Sequence, residues 1–92
     1  MWPENDPGIR MMVVDDDPAY RERMRNAFEG HHRIKVIALA QGGRDAVGMA
    51  RDSAPDATVI DLGPADMSGL DVAEQIARVS PGTVLFIAAD TP

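Results

Sequence analysis

The chain has 92 residues, which is enough for one small domain. Its 45% hydrophobic and 26% charged residues are typical of a folded globular protein. A net charge of −6 argues against a nucleic-acid-binding face and against docking on anionic membranes. The absence of cysteine excludes disulfides, zinc–thiolate sites and thiol chemistry. No apolar stretch approaches the roughly 18 residues of a membrane span, so we expect a cytoplasmic protein.

The first eight residues are unlike the rest of the chain. Met1 to Gly8 contains two prolines and two acidic residues, and it lacks the basic and apolar regions of a signal peptide. We therefore predict a flexible N-terminal lead-in over residues 1–8 and a folded domain over residues 9–92.

A strand followed by a helix opens the domain. Residues 9–14 are apolar apart from Arg10, which predicts a buried strand. Asp17 and Pro18 then form a typical helix start, a carboxylate cap followed by proline, and Gly30 is a typical stop. One face of this helix should be apolar, at Tyr20, Met24, Ala27 and Phe28. Its solvent-exposed face should carry Arg21, Glu22, Arg23 and Arg25.

The remaining segments repeat the alternation. Strands are predicted over residues 34–39, 57–60 and 83–88. A short helix after Gly42 and Gly43 should bury Ala46, Val47 and Ala50. Ser68 and Asp71 are spaced as a capping box for a third helix. The inner face of that helix is predicted at Leu70, Ala73, Ile76 and Ala77.

The order βαβαβαβ predicts a doubly wound α/β domain. Strand–helix–strand units cross over with a right hand, which gives a parallel sheet with helices on both faces. The carboxyl ends of the first and third strands then meet at one edge of the sheet, where ligand sites of open α/β sheets lie. Asp15, Asp16 and Asp61 converge there. Close carboxylates repel, so either one stays protonated or a hard divalent cation joins them.

These residues resemble the receiver domain of two-component response regulators. The resemblance runs from Ile9 to about Ala89, nearly the whole chain. It rests on three motifs that occur in order and at family-like spacing: Val-Val-Asp-Asp-Asp-Pro at 13–18, Ala-Pro-Asp-Ala-Thr-Val-Ile-Asp-Leu at 54–62, and Ser-Gly-Leu at 68–70. It implies the flavodoxin-like, CheY-like fold with strand order 2-1-3-4.

The resemblance also implies a function. Asp61 matches the phosphoryl-accepting aspartate, and Asp15 and Asp16 match the acidic pair that binds Mg²⁺. Asp61 itself and the backbone carbonyl of Gly63 are the further metal ligands that the resemblance implies. The implied phosphoryl donor is a histidine kinase or a phosphotransfer protein. Such a domain is a signalling component and not a turnover enzyme.

Several positions depart from the family pattern. Pro64 and Ala65 stand where Met-Pro is usual after the acceptor, which could change how Gly63 presents its carbonyl. The Ser or Thr that usually ends the fourth strand aligns with Ala88, or with Ala89 when counted from Asp61 without a gap. Neither carries a hydroxyl.

The fifth strand, with its lysine, and the fifth helix of a receiver are also missing from these 92 residues. The one lysine is Lys35, in the second strand. We therefore expect a C-terminally truncated receiver, either a fragment of a longer regulator, which we favour, or a domain completed by a partner subunit. The strand over residues 83–88 then forms an open apolar edge that invites self-association.

Two further functions are considered. A degenerate pseudo-receiver would act as a protein-interaction module without phosphorylation-coupled switching, as the missing hydroxyl and lysine suggest. A phosphohydrolase of the haloacid-dehalogenase type also uses an aspartate at a strand end. That family requires a second aspartate two residues after the nucleophile, where this chain has Gly63, and the sequence therefore disfavours it.

Overall fold

A computed structural model of the protein describes residues 8–62 and 68–88. Seven elements alternate as predicted. They are β1 (Ile9–Asp15), α1 (Pro18–Glu29), β2 (Ile34–Ala40), α2 (Gly43–Ser53), β3 (Ala57–Asp61), α3 (Gly69–Val79) and β4 (Val84–Ile87). The four strands form one parallel sheet in the order β2-β1-β3-β4, which confirms the predicted fold.

The predicted lead-in lies outside the described residues except for Gly8. Gly8 has a positive φ of 78°, and a Cβ at this position would come within 2.6 Å of the Arg33 carbonyl oxygen. The next residue, Ile9, donates its backbone N–H to the same oxygen at 2.7 Å. Gly8 therefore lies directly before β1, where the positive φ and the close approach to Arg33 require glycine.

The sheet has helices on both faces, and successive strand residues contribute to opposite faces. On one face, Met12, Val14 and Ile60 pack against α2 and α3. On the other face, Met11 and Val13 of β1 and Ala57 of β3 form a smaller cluster that α1 covers through Met24 and Phe28. One helix therefore covers one side of the sheet, and two helices cover the other.

The predicted helix caps of α1 and α3 are confirmed. One carboxylate oxygen of Asp17 accepts the backbone N–H groups of Ala19 and Tyr20, at 2.9 and 3.2 Å. The Ser68 hydroxyl accepts the backbone N–H of Asp71 at 3.1 Å. In each case a short polar side chain satisfies donors that the first helical turn leaves unpaired.

The predicted inner faces of two helices need correction. In α3 the buried residues are Val72, Ala73 and Ile76, whereas Leu70 is 72% exposed and Ala77 is also exposed. In α1, Met24 and Phe28 pack on the sheet, but Tyr20 and Ala27 are exposed. Apolar spacing predicted the helices correctly. Which face of each helix is buried against the sheet depends instead on the packing of neighbouring elements.

Strand β4 is shorter than predicted. It runs from Val84 to Ile87, and within the described parts of the chain it pairs with β3 alone. Val84 and Phe86 are 57% and 54% exposed.

None of the helices in residues 8–62 and 68–88 is long and apolar enough to cross a membrane.

Candidate functional site at the carboxyl edge of the sheet

The structure brings Asp15 and Asp61 together at the carboxyl ends of β1 and β3. The two residues are direct partners in the register of the parallel pair. Met11 and Val13 of β1 face α1, as do Ala57 and Val59 of β3. Because side chains alternate along a strand, Asp15 and Asp61 continue these two rows and project on the same face.

Asp15 is a buried carboxylate with one oxygen left over. Only 3% of its surface is exposed. Its Oδ1 accepts the backbone N–H of Asp17 at 2.9 Å, whereas Oδ2 is buried and has no hydrogen-bond partner in the described structure. An unpaired buried carboxylate oxygen is costly, so it marks a place where a ligand can supply the missing interaction.

The electrostatics of the site act against ionisation of Asp15. Burial raises the pKa of its carboxyl group, and the negative charges of Asp61, Asp16 and Asp17 raise it further. The hydrogen bond from the Asp17 backbone opposes this shift. Because these charges all act on Asp15, the carboxylates lie close to one another. A cation bound among them would be favoured, since it would offset their mutual repulsion.

The other predicted site residues have different positions. Asp16 is exposed and lies in the turn between β1 and α1. Asp17 is occupied as the helix cap, as the sequence indicated. Gly63 lies outside the described residues, so its carbonyl stays a prediction.

The residues present fit a hard divalent cation such as Mg²⁺. In residues 8–62 and 68–88, no three side chains of His, Cys, Asp or Glu are arranged to hold a metal ion by themselves. Mg²⁺ does not need such a cage, because it keeps several waters and commonly takes only one or two carboxylates together with phosphate oxygens. Asp15, the register partner of Asp61, offers in its unpartnered Oδ2 an oxygen donor of the required kind.

The end of β4 completes this edge of the sheet. Ile60 pairs with Ile87 in the parallel register, and the Ala88 backbone N–H donates to the Ile60 carbonyl at 2.9 Å. Continuing that register places Ala88 level with Asp61. Of the two positions that the sequence offered, Ala88 is therefore the one beside Asp61, and Ala89 lies outside the described residues.

One residue at this edge was assigned the wrong environment. The sequence placed Arg21 on the solvent face of α1 with Arg23 and Arg25, but Arg21 is half-buried. Its Nη1 donates to the backbone carbonyl of Asp15 at 2.7 Å. The only sequence signal for this contact is that Arg21 lies one helical turn beyond the Asp17 cap.

Comparison with known proteins identifies the family. Residues 11–91 match the response regulator receiver domain. The chain belongs to this family. The receiver is 34% identical over 83 residues to a protein-glutamate methylesterase/protein-glutamine glutaminase of Alkalilimnicola ehrlichii, a match that covers 90% of the chain and 21% of that relative. It is 39% identical over 70 residues to the response regulator MprA of Mycolicibacterium vanbaalenii, covering 74% of the chain and 29% of MprA.

Solved receiver structures have the same fold. The signal receiver domain of NarL from Mycobacterium tuberculosis has a TM-score of 0.81 and 26% identity, over 92% of this chain and 70% of that one. The response regulator domain of Thermotoga maritima CheB has a TM-score of 0.78 and 25% identity, over 87% of this chain and 60% of that one. The receiver spans about a fifth of the length of the methylesterase relatives.

Proposed function

We propose that this receiver accepts a phosphoryl group on Asp61, with Mg²⁺, from a histidine kinase or a phosphotransfer protein. The observation that carries the proposal is the buried Asp15 carboxylate, which has one unpartnered oxygen and belongs to the register partner of Asp61 at the sheet edge. The family relationship supports the same chemistry.

The residues of the site would divide the work of phosphoryl transfer. A carboxylate oxygen of Asp61 forms the new O–P bond while the P–N bond to the donor histidine breaks and its electron pair stays on the imidazole. Asp15 and Asp16, with the carbonyl of Gly63, would hold the cation. When bound, Mg²⁺ neutralises charge between the carboxylates and the phosphoryl oxygens. Alignment and charge neutralisation are the main requirements of this reaction.

We further propose that this segment acts in the cytoplasm as a signalling component and not as a turnover enzyme. The methylesterase relatives carry an activity of their own, but the chain matches only about a fifth of their length. That matched part corresponds to the receiver domain.

Intact-mass measurement tests the acceptor role directly. The chain is incubated with Mg²⁺ and acetyl phosphate, and we expect one added phosphoryl group, located at Asp61 by peptide mapping. The D61N variant should remain unlabelled. D52N removes an exposed carboxylate on α2 and should label as the wild type does. A wild-type chain that stays unlabelled, while another receiver accepts phosphate from the same donor, would contradict the proposal.

The position of Ala88 favours a second candidate, a pseudo-receiver that binds partners without phosphorylation-coupled switching. Ala88 stands level with Asp61, so this strand end offers no side-chain hydroxyl to a phosphoryl oxygen. Without a hydrogen bond from residue 88 to the phosphoryl oxygen, phosphorylation of Asp61 would not change the conformation of β4.

Restoring the hydroxyl distinguishes the two candidates. Under the pseudo-receiver function, the affinity for a histidine kinase or phosphotransfer protein is the same with and without acetyl phosphate, and A88T leaves it unchanged. Binding measured by isothermal titration calorimetry provides the comparison, with A88S as a second hydroxyl variant. A phosphorylation-dependent gain in affinity in the wild type, which A88T does not exceed, would count against the pseudo-receiver.

A further inference from the structure

Arg21 closes the turn that presents the acidic residues of the site. The turn between β1 and α1 contains Asp16 and Asp17, and hydrogen bonds connect its two ends. The Asp17 N–H donates to the Asp15 carboxylate at 2.9 Å. The Arg21 N–H donates to the Asp17 carbonyl at 2.9 Å, and the Arg21 guanidinium donates to the Asp15 carbonyl at 2.7 Å.

Two of these bonds connect the ends of the turn to Arg21, one through its side chain and one through its backbone N–H. Asp15 is the last residue of β1, and Arg21 lies in the first turn of α1 beyond its cap. Arg21 is half-buried, whereas Arg23 on the same helix is exposed. A planar guanidinium loses less conformational entropy per hydrogen bond than a flexible ammonium group. Arginine is therefore well suited to keep the Asp15 backbone in one position.

We propose that Arg21 is a positioning residue for the divalent cation, which it serves by fixing the Asp15 backbone and hence the direction of the Asp15 carboxylate. The inference rests on the proposed function, because it concerns the same cation site. Groups that orient metal ligands through hydrogen bonds commonly change metal affinity about tenfold or more when they are removed.

Electrostatics alone predicts that removal of Arg21 has the opposite effect on Mg²⁺ affinity. Removing a positive charge near an acidic site should strengthen the binding of a cation. If Arg21 acts by positioning, its removal should weaken binding instead. The matched control is Arg23, which is exposed on the same helix, so R23M removes the same charge without removing the bond to Asp15.

Mg²⁺ affinity, measured by isothermal titration calorimetry, tests the proposal. We expect R21M to raise the Kd for Mg²⁺ about tenfold, R23M to leave it equal or lower, and R21K to recover much of the loss because lysine keeps one charged donor. Circular dichroism first establishes a temperature at which every variant is folded. A less stable R21M that binds Mg²⁺ with wild-type affinity would overturn the positioning role.

Failure of this inference differs from failure of the proposed function. If the wild type binds Mg²⁺ and is labelled on Asp61, but R21M behaves identically in both assays, only the role of Arg21 is wrong. If the wild type neither binds Mg²⁺ nor accepts the phosphoryl group, the acceptor function itself is contradicted and the role of Arg21 falls with it.

Discussion

At the residue scale, the distinguishing feature of this protein is a carboxylate placed where its charge is unfavourable. Asp15 combines burial, three acidic neighbours and one unpartnered oxygen. A structure selected only for stability would not keep this combination. Sites that bind ions accept such a cost because the ligand relieves it when it binds.

The first prediction concerns D15N in the absence of divalent cations. Asparagine keeps the Oδ1 acceptor for the Asp17 N–H and removes the buried charge. We expect the free energy of unfolding at pH 7 to rise by about 1 kcal/mol. Urea unfolding followed by circular dichroism measures the change, and D52N provides a control at an exposed carboxylate. A loss of stability in D15N would show that the charge of Asp15 does not strain the fold.

The same site gives the expected direction of the pH dependence. The pKa of Asp15 is raised in the folded protein above its ordinary value of 3.8, so the folded state binds this proton more tightly than the unfolded state. The resulting stabilisation is complete below pH 3.8 and is lost as the pH rises through the raised folded value. Unfolding curves of D15N should therefore show a smaller decline over that interval than the wild type.

At the scale of elements, α2 shows how a helix can be held by distant residues. Its C-terminal carbonyls at Ser53 and Ala54 accept hydrogen bonds from the Arg10 guanidinium at 2.7 and 2.8 Å. Arg10, the one polar residue among residues 9–14 of β1, therefore caps a helix from the sheet. Ala54 follows with a positive φ of 46°, a conformation that costs an alanine about 1 kcal/mol.

The second prediction concerns the interior of α2. Gly48 lies within this helix, and a Cβ placed on it would meet nothing within 4 Å. We expect G48A to raise the free energy of unfolding by about 0.5–1 kcal/mol, because alanine loses less backbone entropy in a helix than glycine. Urea unfolding measures the gain.

Gly42 provides the matched control for that change. A Cβ at Gly42 also meets nothing within 4 Å, but the residue occupies the N-cap position of α2 in an extended conformation. Alanine is a poorer N-cap than glycine, so G42A should give no stabilisation. An equal gain in both variants would show that the effect comes from the unfolded chain alone.

At the scale of the whole molecule, the two faces of the sheet are unequally covered. Leu85 of β4 packs against the core beneath α2 and α3. Since side chains alternate, Val84 and Phe86 point to the face that carries only α1, which accounts for their exposure. In the described structure β4 is also an edge strand, and an exposed apolar edge is a template for pairing with another chain.

The third prediction is self-association through β4. We expect the weight-average mass from sedimentation equilibrium to rise with protein concentration. F86K should lower this association, because a charge on an edge strand opposes pairing. Q75K adds the same charge on the exposed surface of α3 and should leave association unchanged. One monomeric species at every concentration would contradict this role of the edge.

The sequence alone determined the features that depend on neighbours along the chain. The alternation of strands and helices, the Asp17 and Ser68 caps, and the acidic residues at two strand ends all follow from local patterns. Because the carboxyl ends of parallel strands lie at the same edge of a sheet, these patterns also predicted that Asp15 and Asp61 lie close together.

Only the tertiary structure decided how those elements meet. In the folded chain, Val72 of α3 is buried and Leu70 is exposed. The Arg21 side chain donates a hydrogen bond to the Asp15 carbonyl. The tertiary structure also encloses Asp15 with one oxygen unpartnered. Burial and orientation depend on side chains from elements far apart in the sequence, whose packing no local spacing contains.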